Sequence, residues 1–192
     1  PPPRRPGDRI WVQVLLLVLT VVTTTLVGGC HYLSFELSFQ PVGPLAGPTS
    51  GGPPPWPLSE ASFYLKGLWY SHTVLAILGC HEMGHYVACL RYGVDATRPY
   101  FLPAPPPFLT GTFGAFIRIR SRFPSKVALF DIGIAGPIAG FVVAVPSLVA
   151  GLMMSSVVRL PADSSGLISL GEPLLFRGVA WLVFGDVPDG YS

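Results

Sequence analysis

The chain has 192 residues, of which 50% are hydrophobic and only 11% charged, with a formal net charge of +2. Ordinary soluble domains carry about 25% charged residues, so this chain has too few to cover a water-exposed surface, and its mean hydropathy is +0.54. A soluble globular domain is thereby excluded, as are nucleic-acid binding as the main activity, from the small net charge, and a disulfide scaffold, from the three cysteines.

The pattern along the chain predicts an all-α polytopic membrane protein with about three transmembrane helices and a small cytoplasmic β-hairpin or strand insertion. Residues 1–9 form a basic tail with Arg4, Arg5 and Arg9. Residues 10–27 are an uncharged apolar run of 18, enough to cross a hydrocarbon core of about 30 Å. The run exceeds the apolar region of a signal peptide, about 7–15 residues, so a retained helix is expected. Residues 28–66 read as an extracytoplasmic linker, because 41–57 holds seven Pro and four Gly and cannot form regular structure. The second span is 67–90. Segment 91–126 is a Pro-rich cytoplasmic loop carrying six of the twelve basic residues. The third span, 127–152, carries only Asp131, and 153–192 is extracytoplasmic or interfacial, with 171–185 an amphipathic interfacial segment. By the positive-inside rule the tail and loop 91–126 face the cytoplasm. The chain reads as a fragment, with a fourth span expected beyond Ser192.

Within the loop, Phe113, Ala115, Ile117 and Ile119 alternate with their neighbours through Arg120. A period of two with aromatic and β-branched residues predicts a strand. The prolines at 99, 103 and 105–107 make any partner there an irregular edge.

His81-Glu82-Met83-Gly84-His85 is an HExxH motif inside the second span. Residues four apart on a helix share a face, so both imidazoles can meet one ion. Glu82 is placed to take a proton from a water held there. Two histidines and a glutamate within hydrocarbon are costly and persist mainly where they act. His81 lies ten residues before Arg91, roughly 15 Å from the cytoplasmic end of the helix. Cys89 repeats the spacing, but alpha carbons eight residues apart lie about 12 Å apart along the axis, too far to share the ion. Cys80 and Cys89 therefore read as packing residues, and His31 and His72 as interfacial hydrogen-bonders. Asp131 reads as an interfacial cap or the partner of a loop arginine, and Asp189 as a turn residue. Gly136-x-x-x-Gly140 allows a close helix contact against the HExxH helix, and Pro137 and Pro146 free backbone carbonyls beside the site.

Residues 78–88 (LGCHEMGHYVA) resemble the zinc-binding helix of the site-2 protease family of intramembrane metalloproteases. Residues 130–140 (FDIGIAGPIAG) are similar to that family's next core helix, and the Pro-rich loop with GTFGA at 111–115 resembles a bacterial and plastid branch. The resemblance covers roughly 62–152. It implies that His81 and His85 bind Zn2+ and that Glu82 is the catalytic base. It also implies a third ligand, an Asp in a Leu-Asp-Gly motif on a later helix, and no Leu-Asp-Gly occurs in this sequence.

The expected function is an intramembrane zinc endopeptidase that cuts transmembrane protein substrates in regulated intramembrane proteolysis, with the lipid bilayer and no nucleic acid as surroundings. The expected location is a bacterial inner membrane, multi-pass, with the N-terminus cytoplasmic. The alternative is a catalytically inactive membrane protein that uses the same helix to bind an ion or a partner. For an enzyme, Gly114, Ala115, Phe116 and Ile117 are the expected substrate-binding residues, because a free strand edge can replace the hydrogen bonds that an unwinding substrate helix loses.

Overall fold

A computed structural model of the chain describes residues 9–38, 60–105, 108–155, 157, 171 and 173–186. Most of the basic tail, the Pro/Gly-rich linker at 41–57, Asp189 and much of the 153–192 segment lie outside the described residues. The elements are α1 (Ile10–Ser38), α2 (Ala61–Arg91), β1 (Tyr100–Pro103), β2 (Thr112–Phe116), α3 (Lys126–Met153) and α4 (Leu174–Phe184). The expected fold class holds: α1, α2 and α3 are each long and apolar enough to cross a membrane, and the two strands form one antiparallel sheet. At 11 residues α4 is shorter than a span. The chain divides into two units, 1–140 and 141–192, and the residues of interest lie in the first.

Local chemistry sets the helix ends. α2 stops with Arg91 in its last turn, beside the negative pole of the helix dipole. Gly93 follows at φ +66°, a left-handed conformation that closes helices. α3 begins after Ser125, whose hydroxyl accepts from the Ala128 N–H at 3.1 Å, satisfying a donor left free in the first turn. Helices α1 and α2 cross where side chains are small. A β-carbon at Gly67 would overlap the Thr25 carbonyl, and the buried hydroxyls of Thr24 and Ser71 meet at 2.7 Å, the contact typical of helices with no water between them.

β1 and β2 pair in the register Tyr100↔Phe116, Phe101↔Ala115, Leu102↔Gly114, Pro103↔Thr112, with an irregularity between Leu102 and Pro103. Pro103 has no N–H to give the ladder. The Thr112 hydroxyl bridges the gap, accepting from the Gly114 N–H at 3.0 Å and donating to the Leu102 carbonyl at 2.8 Å. Past Phe116 the chain stays extended and pairs with 95–97: Thr97 N–H donates to the Arg118 carbonyl at 2.9 Å and Arg120 N–H to the Asp95 carbonyl at 2.8 Å. Arg118 and Arg120 thus direct backbone groups to that partner, and in such a ladder the intervening Ile117 and Ile119 direct theirs the other way.

The hairpin does not simply hang beyond the helix ends. The Gln13 amide donates to the Arg98 carbonyl at 3.1 Å, the Thr23 hydroxyl to the Gly111 carbonyl at 2.7 Å, and His31 Nε2 to the Leu109 carbonyl at 2.7 Å. Tyr70 of α2 adds its hydroxyl to the Thr110 carbonyl at 3.2 Å. Gln13 and His31 are about 27 Å apart along α1, so the hairpin follows most of the length of that helix. The signal was present in the sequence: Arg98 and Arg118 bracket a wholly uncharged stretch, 99–117, which the count of basic residues in the loop concealed.

Gly111 makes this docking possible. Its φ is +67°, and a β-carbon there would lie 2.8 Å from the Thr23 carbonyl oxygen. Gly111→Val is expected to push the tip off α1 and raise amide exchange at 109–112 by an order of magnitude or more, since a strained β-branched residue costs about 1–3 kcal/mol. Unchanged exchange would refute this account of the turn.

Candidate metal centre

His81, Glu82 and His85 lie in the last third of α2. The His85 ring is fixed from the far side. Its Nδ1 lies 2.7 Å from the Ile132 carbonyl of α3, and a carbonyl only accepts, so Nδ1 carries the proton and Nε2 presents its lone pair. That lone pair faces His81: the two Nε2 atoms are 3.2 Å apart, with ring centroids 4.9 Å apart and planes at 75°. Two nitrogens bound tetrahedrally at 2.0–2.1 Å would lie about 3.3 Å from each other. The pair therefore fits a tetrahedral cation; without one, it makes an N–H···N hydrogen bond.

Helix α3 supplies the space. A β-carbon at Gly136 would overlap the His85 ring, and one at Gly140 would lie 3.2 Å from the His81 β-carbon. Gly84 faces the other way in the same contact, against Ala135 and Ala139. The small residues expected only to bring helices together thus also make room for the two imidazoles. Their spacing of four, matching that of the histidines, was the sign.

Glu82 is buried, 9% exposed. Its carboxylate accepts from the Ile117 backbone N–H, one of the groups turned away from the 95–97 partner. Glu82 and His85 open onto a cleft of about 300 Å³ whose other walls are the 116–119 segment, Phe123 and the start of α3. Of the four expected substrate-binding residues, Phe116 and Ile117 line this cleft, whereas Gly114 and Ala115 sit further along β2 and do not. The cleft residues Phe123, Leu129, Ile132 and Gly133 carry no pattern that sets them apart from other apolar loop and helix positions.

The remaining candidates lie elsewhere. Cys89 is fully buried in a core with Val94, Ala88 and Ile132, as its packing role required. Cys80 is a free half-buried thiol. His31 holds the hairpin tip, and His72 is exposed. The partner of Asp131 is the Tyr92 hydroxyl, a phenol adjacent in the fold, in place of the loop arginine expected from sequence. The Asp131 carboxylate, as hydrogen-bond acceptor first and as a charge besides, raises the Tyr92 phenol above its ordinary range. Among the described residues no group of three His, Cys, Asp or Glu is placed to hold a metal ion.

The sequence model of peptidase family M50 matches residues 69–184, more than half of the chain. The chain belongs to peptidase family M50. This M50 chain is 34% identical over 167 residues to a rice (Oryza sativa subsp. japonica) protein described as "Probable zinc metalloprotease EGY1, chloroplastic", covering 87% of the chain and 28% of that protein. It is 29% identical over 174 residues to the Arabidopsis thaliana protein of the same description, covering 88% and 30%. It is 32% identical over 124 residues to a protein from Oryza sativa subsp. indica described as "Probable zinc metalloprotease EGY2, chloroplastic", covering 62% and 21%. The M50 chain thus spans less than a third of the length of these relatives. No solved structure matches it significantly. The relatives are chloroplastic by name, which lends no support to the bacterial inner membrane expected from the sequence.

Proposed function

We propose that the intact protein is an intramembrane zinc endopeptidase that hydrolyses peptide bonds of transmembrane proteins. The observation that carries this reading is the convergence of the His81 and His85 Nε2 atoms to 3.2 Å, beside a buried carboxylate on the same helix turn. His81 and His85 hold the ion. A third ligand comes from outside the described residues. Zinc in such a site supplies Lewis acidity, polarising the scissile carbonyl and acidifying water. Glu82 takes the proton from the attacking water and passes it to the leaving amine. Its burial at the cleft keeps it within reach of both, and the Ile117 N–H holds it in place until substrate arrives.

In this reading the hairpin is re-entrant: it follows α1 into the bilayer, while its basic ends at Arg98 and Arg118 stay near the membrane surface, Arg98 beside Gln13 at the start of α1. Irregular backbone is tolerated at membrane depth only where protein covers it or water reaches it. The rest of the edge at Ile117 and Ile119, beyond the Ile117 N–H that Glu82 takes, therefore needs an occupant, and an unwound substrate segment is a suitable one. Ala115→Pro is expected to slow cleavage of a helical substrate roughly fivefold, the worth of one hydrogen bond at about 1 kcal/mol, and Ile117→Pro, which also takes away the N–H bonded to Glu82, to slow it more, with zinc content unchanged in both. Wild-type rates in both variants would remove the strand from substrate presentation.

The test of the function is metal analysis of the purified full-length protein together with cleavage of a single-span substrate before and after chelation. One zinc per chain, lost along with cleavage on chelation and restored on adding zinc, is the expected result. Zinc without cleavage would favour the silent ion-binding alternative, and neither would overturn the metal site.

A further inference from the structure

Resting on the protease reading, we propose that the cleft beside Glu82 is a side-chain pocket selecting a large apolar residue next to the bond being cut. The pocket has about 300 Å³ and its walls are Phe116, Ile119, Phe123, Leu129 and Ile132, with Glu82 and His85 as its polar end. Apolar walls with a few convergent polar groups are what a site offers when it binds an apolar group and acts on its neighbour. A substrate strand lying along the edge at Ile117 and Ile119 alternates its side chains, so every second one faces a wall. The one closest to Glu82 enters the pocket.

Gly133 sets the size of that pocket. It lines the cleft, and a β-carbon added there meets nothing within 4 Å. Gly136 and Gly140 on the same helix differ, since a side chain at either would run into His85 or His81. Those two glycines serve the metal-site contact, whereas the missing side chain at Gly133 leaves space that belongs to no protein group. A β-carbon there enters open space, so a longer side chain would take up part of the pocket from the α3 side.

The test uses the purified full-length protein and synthetic single-span peptides identical except for Ala, Leu or Phe at the two central positions. Cut sites are mapped by mass spectrometry and zinc content is measured alongside. The wild type is expected to cut next to Leu or Phe at least about tenfold faster than next to Ala, the discrimination a hydrophobic pocket gives. Gly133→Leu is expected to reduce that Leu-to-Ala preference at least tenfold, and Gly133→Ala to reduce it partly. Leucine is a better helix former than glycine, so α3 is not weakened by the change. Should Gly133→Leu lose zinc, Gly133→Ala decides by the same ratio. An unchanged preference in a variant that still cuts overturns the pocket and leaves the protease standing. Absence of cleavage by the wild type with every peptide overturns the protease reading and the pocket with it.

Discussion

Glu82→Gln is expected to lower cleavage by about 10²–10⁴, the range that one general acid–base group contributes, with zinc content at the wild-type level. The substitution is nearly isosteric. Its amide oxygen can still accept from the Ile117 N–H that holds Glu82, so the side chain keeps its place at the cleft and loses only its basicity. His81 and His85 are untouched, and the Nδ1 contact of His85 to Ile132 at 2.7 Å keeps the ring oriented. Turnover of a single-span substrate, measured with metal content on the same sample, separates the two outcomes. Wild-type cleavage by Glu82→Gln would remove that residue from the chemistry, and loss of zinc would show that its role is structural.

Gly136→Ala is expected to weaken zinc binding by about 10- to 100-fold, the range seen when the partners that orient a metal ligand are disturbed. The added methyl overlaps the His85 ring, and a packed interface yields by displacing whichever group is less firmly held. If the ring turns, Nδ1 leaves the Ile132 carbonyl and Nε2 leaves its position facing His81. If α3 retreats instead, the Ile132 carbonyl goes with it, and the orientation is lost by the other route. Gly151→Ala is the control: it adds the same methyl to the same helix, at a position where nothing lies within 4 Å. Competition with a fluorescent zinc chelator measures both. Equal affinity of Gly136→Ala and wild type would show that the α3 glycines do not shape the site.

The parts of this protein legible in its sequence are those written locally. Three apolar runs gave three helices because a span must satisfy its backbone internally, and HExxH was readable because ligand spacing on a helix is fixed by its turn. The alternation in 112–120 gave an extended segment for the same reason. The positions of those pieces relative to one another were not legible. The ties of Gln13, Thr23 and His31 to the hairpin join residues 85, 88 and 78 positions apart and end on backbone oxygens, so no residue pattern marks them. The partner strand was obscured by its prolines, since the Thr112 hydroxyl that repairs the ladder beside Pro103 is one threonine among several. Gly136 and Gly140 were recognised as contact residues, but only the fold shows that they face the two histidine rings.

The docking of the hairpin has a consequence for how such a protein can change. Each tie from Gln13, Thr23, His31 and Tyr70 ends on a main-chain oxygen, those of Arg98, Gly111, Leu109 and Thr110. Apart from Gly111, where a β-carbon would run into Thr23, the helices therefore recognise the path of the hairpin more than its side chains. Phe108, Leu109 and Phe113 are each at least half exposed, with Phe108 and Phe113 packed edge to face on each other, and none of the four ties runs through their side chains. Exposed side chains on this one short ribbon can thus change while the ties that seat it on α1 and α2 stay as they are.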